Sequence, residues 1–84
     1  MNLKGRSANL IDIEGNVTGS CVINDENMFI IKTIDKIFRF NRFDITAFNV
    51  FNETNTFIGV LRESSTNYYN LILNNKVIGF IRIN

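Results

Sequence analysis

Three arginines, Arg42, Arg62 and Arg82, recur at intervals of twenty residues along this 84-residue chain. A guanidinium is a planar fork of N–H donors that grips phosphate or carboxylate through two parallel bonds. A row of them along one rim would therefore suit a phosphate backbone or a carboxylate-rich partner. Arg39 belongs to the same group through the stretch "KIFRFNRF", where Lys36, Arg39 and Arg42 interleave with Phe38, Phe40 and Phe43. On a strand, such a mixture can stack bases and neutralise phosphates; the same pattern also suits a core strand with its phenylalanines turned inward. Other chemistry is poorly provided for. Histidine is absent, which excludes catalytic triads and zinc sites of the usual kinds. The eight carboxylates fall largely in turn-like stretches, and "NDEN" lacks the spacing and glycine of a calcium loop. No two acids are set to face each other across a cleft. The expectation is a protein that is not an enzyme and uses no metal and no cofactor.

The balance of charge points the same way. A formal net charge of +1 and a pI near 7.9 are too even for a domain devoted to phosphate backbone. The single cysteine, Cys21, allows no internal disulfide in these residues and reads as a reduced core side chain. The opening "MNLKGRSANL" has no apolar run of signal-peptide length, and no stretch nears the ~20 apolar residues of a membrane helix. A cytoplasmic protein without membrane insertion is expected. Heavy use of Asn and Ile suits an AT-rich genome, such as that of a phage or mobile element. At this length one domain is expected, burying only about 60% of its unfolded surface, which makes a homo-oligomer the natural way to gain burial.

The elements that must position these residues are strands. From Val17 onward the chain runs "VTGSCVI", "MFIIKTI", "KIFRFNRF", "ITAFNVF", "FIGVLRE", "YYNLIL" and "KVIGFIRI", separated by Asn-, Asp-, Gly- and Ser-rich turns. The segment "LKGRSANLID" before them reads as a further strand. "NLIDIEGNVTG", "NVFNETNTFIG" and "NLILNNKVIG" superimpose at a spacing that puts Gly19, Gly59 and Gly79 in step, with Arg39 in the fourth slot. The repeating unit is one hairpin of about twenty residues, used four times. The predicted fold is all-β: an antiparallel meander of seven to eight strands closing wholly or partly into a small barrel, residues 1–84 forming one domain.

Alternation then assigns faces. Phe38, Phe40 and Arg42 share one face, as do Ile58, Val60 and Arg62, and Ile78, Phe80 and Arg82. Taken in phase, these form one inner wall with arginines at the mouth. A two-residue turn at Asn74-Asn75 would set Leu71 opposite Ile78 and Tyr69 opposite Phe80. The other face carries Phe57, Gly59, Leu61, Val77, Gly79, Ile81 and Ile83. Either a bend at the glycines folds it inward, or it is a partner surface. On the second alternative Phe57, Leu61, Val77 and Ile81 form an interface, joined by Tyr68. The first hairpin presents only Thr18, Ser20 and Val22 inward, so a bulge shifts it or it is an edge.

The stretch "GSCVINDENMFI" (residues 19–30) followed by "IFRFNRFDITAF" (residues 37–48), with its Asp44-Ile45, resembles the opening half of pleckstrin-homology-like domains of the GRAM type. That resemblance implies a small barrel reading a lipid or phosphoinositide, although the chain finishes on the strand "KVIGFIRIN" rather than a capping helix. The same segment is similar to Sm-like proteins, with Gly19, Asp25 and Ile45 in comparable places, which implies a ring-forming oligomer that binds RNA. The expected role is a non-catalytic module contacting a protein partner and copies of itself, for example a small phage-type inhibitor or assembly component. Nucleic-acid or nucleotide binding at Arg39, Arg42, Arg62 and Arg82 is the alternative, and lipid reading the third.

Overall fold

Every turn-like stretch closes a hairpin or links two of them. The computed structural model describes residues 2–84. It contains eight strands: β1 (Ser7–Asp12), β2 (Val17–Val22), β3 (Met28–Lys32), β4 (Ile37–Asp44), β5 (Ala47–Phe51), β6 (Phe57–Ser65), β7 (Tyr68–Leu73) and β8 (Lys76–Ile83). All pairings are antiparallel, in the order β2-β1-β8-β7-β6-β5-β4-β3. The meander curls until β8 pairs with β1, leaving β2 and β3 as neighbours without a ladder among the described residues. The result is an all-β, nearly closed barrel. Eight strands give an interior just wide enough to be filled by side chains, and the core shows this. Phe40, Phe48, Ile31, Leu61, Leu71, Ile81 and Val50 are fully buried. Tilted and edge-on ring contacts link Phe38, Phe40, Phe29, Phe48 and Tyr69 in sequence through it.

The glycine repeat has a geometric cause. In β2, β6 and β8 the residue just before the glycine, Thr18, Ile58 or Ile78, is an extra one with no partner across the hairpin. Leu10 pairs with Gly19 and Ile11 with Val17; Val50 pairs with Gly59 and Phe51 with Phe57; Leu71 pairs with Gly79 and Ile72 with Val77. These are β-bulges, which bend a strand and sharpen its twist. Each glycine lies on the inner side of that bend, hard against the strand opening the next hairpin around the barrel. A methyl at Gly79 would sit 2.6 Å from the Ile11 carbonyl oxygen, one at Gly19 2.6 Å from that of Lys32, and one at Gly59 would overlap that of Ile72. The first of these contacts bridges β8 and β1, the second β2 and β3. The unladdered seam is therefore drawn together by the same device as the laddered joints.

A bulge also reverses the alternation of side chains, and this corrects the expected wall. The β3–β4 hairpin has Arg39 in the glycine slot and runs in unbroken register through it, so Phe38 and Phe40 point inward as expected. In β6 and β8 the phase is inverted. Leu61, Ile81 and Ile83 are buried in the core, and Val60 and Phe80 take the outer face with Arg62 and Arg82. Tyr69 and Leu71 are interior, but opposite Ile81 and Gly79, not Phe80 and Ile78. Of the two explanations for the second apolar face, the bend at the glycines is the one realised. Leu61 and Ile81 are thus core residues and not an interface. In β2 the same shift turns Gly19 and Cys21 inward and leaves Val22 exposed.

Candidate binding mouth at the hairpin end

All four hairpin tips lie at one end of the barrel, and the two ends are finished differently. At the end opposite the tips, Leu3 and Ile23 are buried as a plug. The plug is held by Gly5 N–H donating to the Ile23 carbonyl and Ile23 N–H donating to that of Arg6. Two arginines staple the surrounding loops. Arg6 donates through Nη2 to Asn67 Oδ1 at 3.0 Å and through Nε to the Asn84 carbonyl at 3.1 Å. Arg42 donates through Nε to the Glu26 carbonyl and through Nη1 to that of Ile45, with its guanidinium 4.7 Å from the centre of the Phe48 ring. Tyr69 is interior too: burial, then the Glu63 carboxylate, push its phenol above the usual range, while Arg42 and Arg6 pull the other way.

The hairpin-tip end is open. A cavity of about 330 Å³ enters the barrel there, floored by Leu10, Phe38 and Leu71 and flanked by Ile11, Thr18, Ile34 and Ile78, with Asp12, Thr33, Asp35 and Lys36 also lining it. On the other side of Phe38 a smaller hollow of about 220 Å³ is lined by Lys36, Ile37, Asn52, Glu53, Ile58 and Leu73. The bulged residues thus reach the mouth: Thr18 and Ile78 line the first hollow, Ile58 the second. Two exposed apolar side chains line the opening, Ile34, wholly exposed, and Ile78; Ile13, Val17, Phe57 and Val77 are exposed in or next to the tips but do not line it. Val22, Met28, Phe43, Ile45 and Tyr68 are exposed elsewhere, toward the plugged end. Hollows of about 320 and 360 Å³ adjoin Tyr68 and Ile45, but apart from Ile11 neither is lined by a buried core side chain.

Two tips share one construction forty residues apart. Asp12 Oδ1 accepts the N–H groups of Glu14 and Asn16 at 3.0 and 2.9 Å, and Gly15 takes φ +92. Asn52 Oδ1 accepts those of Thr54 and Thr56 at 3.0 and 2.9 Å, and Asn55 takes φ +63. The other two tips are two-residue loops, one at Ile34-Asp35, closed by Lys36 N–H on Thr33 Oγ1 at 3.0 Å, the other at Asn74-Asn75 with both φ positive. The N–H donors, that of Asn16 first, hold the Asp12 carboxyl below its ordinary range. A lowered folded-state value means that this carboxylate supports the hairpin above the unfolded range and loses that support as pH falls through the folded value. Asp12→Asn, which keeps the acceptor as Asn52 does, is expected to flatten the acid limb of the stability–pH curve while leaving neutral stability nearly unchanged. Urea titrations between pH 2 and 7 would show it.

The sequence-predicted site residues do not form one row. Arg42 lies on the inner face at the plugged end and is engaged by carbonyls. Arg62 is exposed on the outer face of β6 across from Asn70, and Arg82 is on the outer face of β8 across from Tyr68, with Nε on Asn84 Oδ1 at 3.3 Å. Arg39 is outside β4 near the tips, Nη1 donating to Asn55 Oδ1 at 2.6 Å. Of the expected interface residues, Phe57, Val77 and Tyr68 are exposed; Phe57 lies edge-on against Phe51, and none of the three lines the mouth. Cys21 is half-buried against the core, and burial raises its thiol above the usual range. Among the described residues no group of three or more Cys, Asp or Glu side chains is placed to hold a metal ion, and no helix is long and apolar enough to cross a membrane. Sequence reasoning passed over Asp12, Ile34 and Asp35. The isoleucine inside a two-residue turn is the signal that could have found them, because turn tips ordinarily carry polar residues.

Comparison of the chain with protein-family models, with curated proteins and with solved structures finds no match.

Proposed function

We propose that this protein is a non-catalytic binding module that contacts a protein partner through the open, hairpin-tip end of its barrel. The observation carrying this reading is the contrast between the ends: one is plugged and stapled, the other leaves an apolar hollow that reaches the core side chains Leu10, Phe38 and Leu71 and is lined by the exposed Ile34 and Ile78. Leaving such groups in water forgoes about 1.5–3 kcal/mol for each large side chain, and apolar surface rimmed by polar residues is the mark of an interaction site. The exposed Ile34 is the natural anchor. The same mouth serves copies of the chain, since Leu61, Ile81 and Ile83 are spent on the core.

The test is capture of partner protein from the host cell by immobilised protein, with light scattering for self-association. Ile34→Asp is expected to reduce both at least tenfold, with little effect of salt and none of Arg62→Ala. Capture that survives Ile34→Asp but falls steeply with salt and with Arg62→Ala would select the nucleic-acid reading implied by the Sm-like resemblance. Binding to anionic vesicles with the same arginine dependence would select the pleckstrin-like one.

A further inference from the structure

Exposed Ile34 and Ile78 explain attraction to apolar groups in general, but the lip of the mouth is not neutral. Asp12 and Asp35 line the larger of these two hollows and Glu53 the smaller, against Lys36, the one cation lining either among the described residues. The Asp12 turn uses the charge, its Oδ2 also accepting from Asn16 Nδ2 at 3.5 Å, but such a turn can be closed without one. In the matching tip forty residues on, Asn52 makes the same two bonds to turn N–H groups with a neutral amide. Asp35 accepts one bond, from Thr33 Oγ1 at 3.3 Å, which an amide oxygen would also accept. Neutral acceptors would thus suffice to close both turns, yet two carboxylates line a hollow floored by Leu10, Phe38 and Leu71.

We propose that the mouth takes a segment of a partner protein in which a branched aliphatic side chain lies next to lysine or arginine. The aliphatic group fills the hollow above Phe38, and the adjoining cation meets the carboxylates of Asp12 and Asp35. A cavity of about 330 Å³ is at the small end of the range for ligand sites, which suits one or two side chains better than a large molecule. Low-dielectric walls strengthen the attraction between lip and cation over that in bulk water. This inference rests on the reading of the hairpin end as a binding surface and adds its selectivity.

The probes are three blocked pentapeptides, Gly-Lys-Leu-Lys-Gly, Gly-Glu-Leu-Glu-Gly and Gly-Lys-Ala-Lys-Gly, titrated into the 15N-labelled protein and followed by amide shifts. The first is expected to move Leu10, Phe38, Leu71 and Ile78, and to bind at least tenfold more tightly than either of the others. Asp12→Asn with Asp35→Asn, a pair chosen to keep both turns, should weaken the first peptide at least fivefold and flatten its salt dependence. Lys36→Gln, which removes the opposing charge, should tighten it severalfold. Equal binding of the lysine and glutamate peptides, or no shift of mouth residues with any of them at 10 mM on the order of weak single-anchor affinities, overturns the proposal. The capture assay with Ile34→Asp stands apart: lost capture together with indifferent peptides would retain the binding surface and remove only its selectivity.

Discussion

Gly59→Ala is expected to be the most damaging single methyl this chain can receive. The added carbon would overlap the carbonyl oxygen of Ile72 and lie 2.5 Å from Cδ2 of Leu73. The leucine can rotate away; the carbonyl belongs to the backbone where β6 and β7 are laddered and cannot. Overpacking ordinarily costs about 1–3 kcal/mol, and a backbone obstacle at the joint between two hairpins puts this case at or above the upper limit. A domain of this size has roughly 4–13 kcal/mol in all, at about 0.05–0.15 per residue, so a large part of it is at stake. Gly15→Ala is the control. Nothing lies within 4 Å of its added carbon, and only φ +92 opposes it, for a cost of about 1–2 kcal/mol. Urea denaturation should give a clearly lower midpoint for Gly59→Ala than for Gly15→Ala, or no folded protein at all. Equal midpoints would mean that β6 and β7 do not approach as described.

The second large effect separates the two faces of β8. Ile81 is fully buried among the core side chains, while its neighbour Phe80 is half-buried on the outer face opposite Asn70 and Ile11. Ile81→Ala is expected to cost about 2–5 kcal/mol by creating a cavity in a close-packed interior. Phe80→Ala, although it removes a larger side chain, should cost about 1 kcal/mol, because little that it leaves behind becomes an enclosed void. Thermal unfolding of the two variants gives the order directly. The reverse order would restore the in-phase wall, with Phe80 inside.

The contrast between these two residues shows how much was legible in the chain. The hairpin period, the strand content, the turn at Asn74-Asn75 and the closing of the meander all follow from local rules: apolar alternation, β-branched residues, and Asn tolerating positive φ. These are properties of a few adjacent residues. The faces were not legible by the same means. Alternation carries Phe38, Phe40 and Arg42 onto Ile58, Val60 and Arg62 only while every strand keeps an unbroken register, and one extra residue per bulge inverts everything beyond it. The glycines marked the bulges, and the absence of glycine at Arg39 marked the hairpin without one. The inversion, however, depends on how closely the next hairpin must approach, which is a tertiary distance and not a local preference. The arginine row failed for the same reason. Arg42 follows a strand without that bulge and points in; Arg62 and Arg82 follow bulges and point out. The mouth was missed because its parts, Leu10, Thr18, Ile34, Phe38, Leu71 and Ile78, come from three hairpins and meet only when the sheet closes.

The claim on which the mouth, its acidic lip and the core all depend is the extra residue before each glycine. The cross-strand NOE pattern of the last hairpin measures it most directly. Leu71 is expected to pair with Gly79 and Tyr69 with Ile81, leaving Ile78 without a partner across the hairpin. Pairing of Leu71 with Ile78 and of Tyr69 with Phe80 would contradict it.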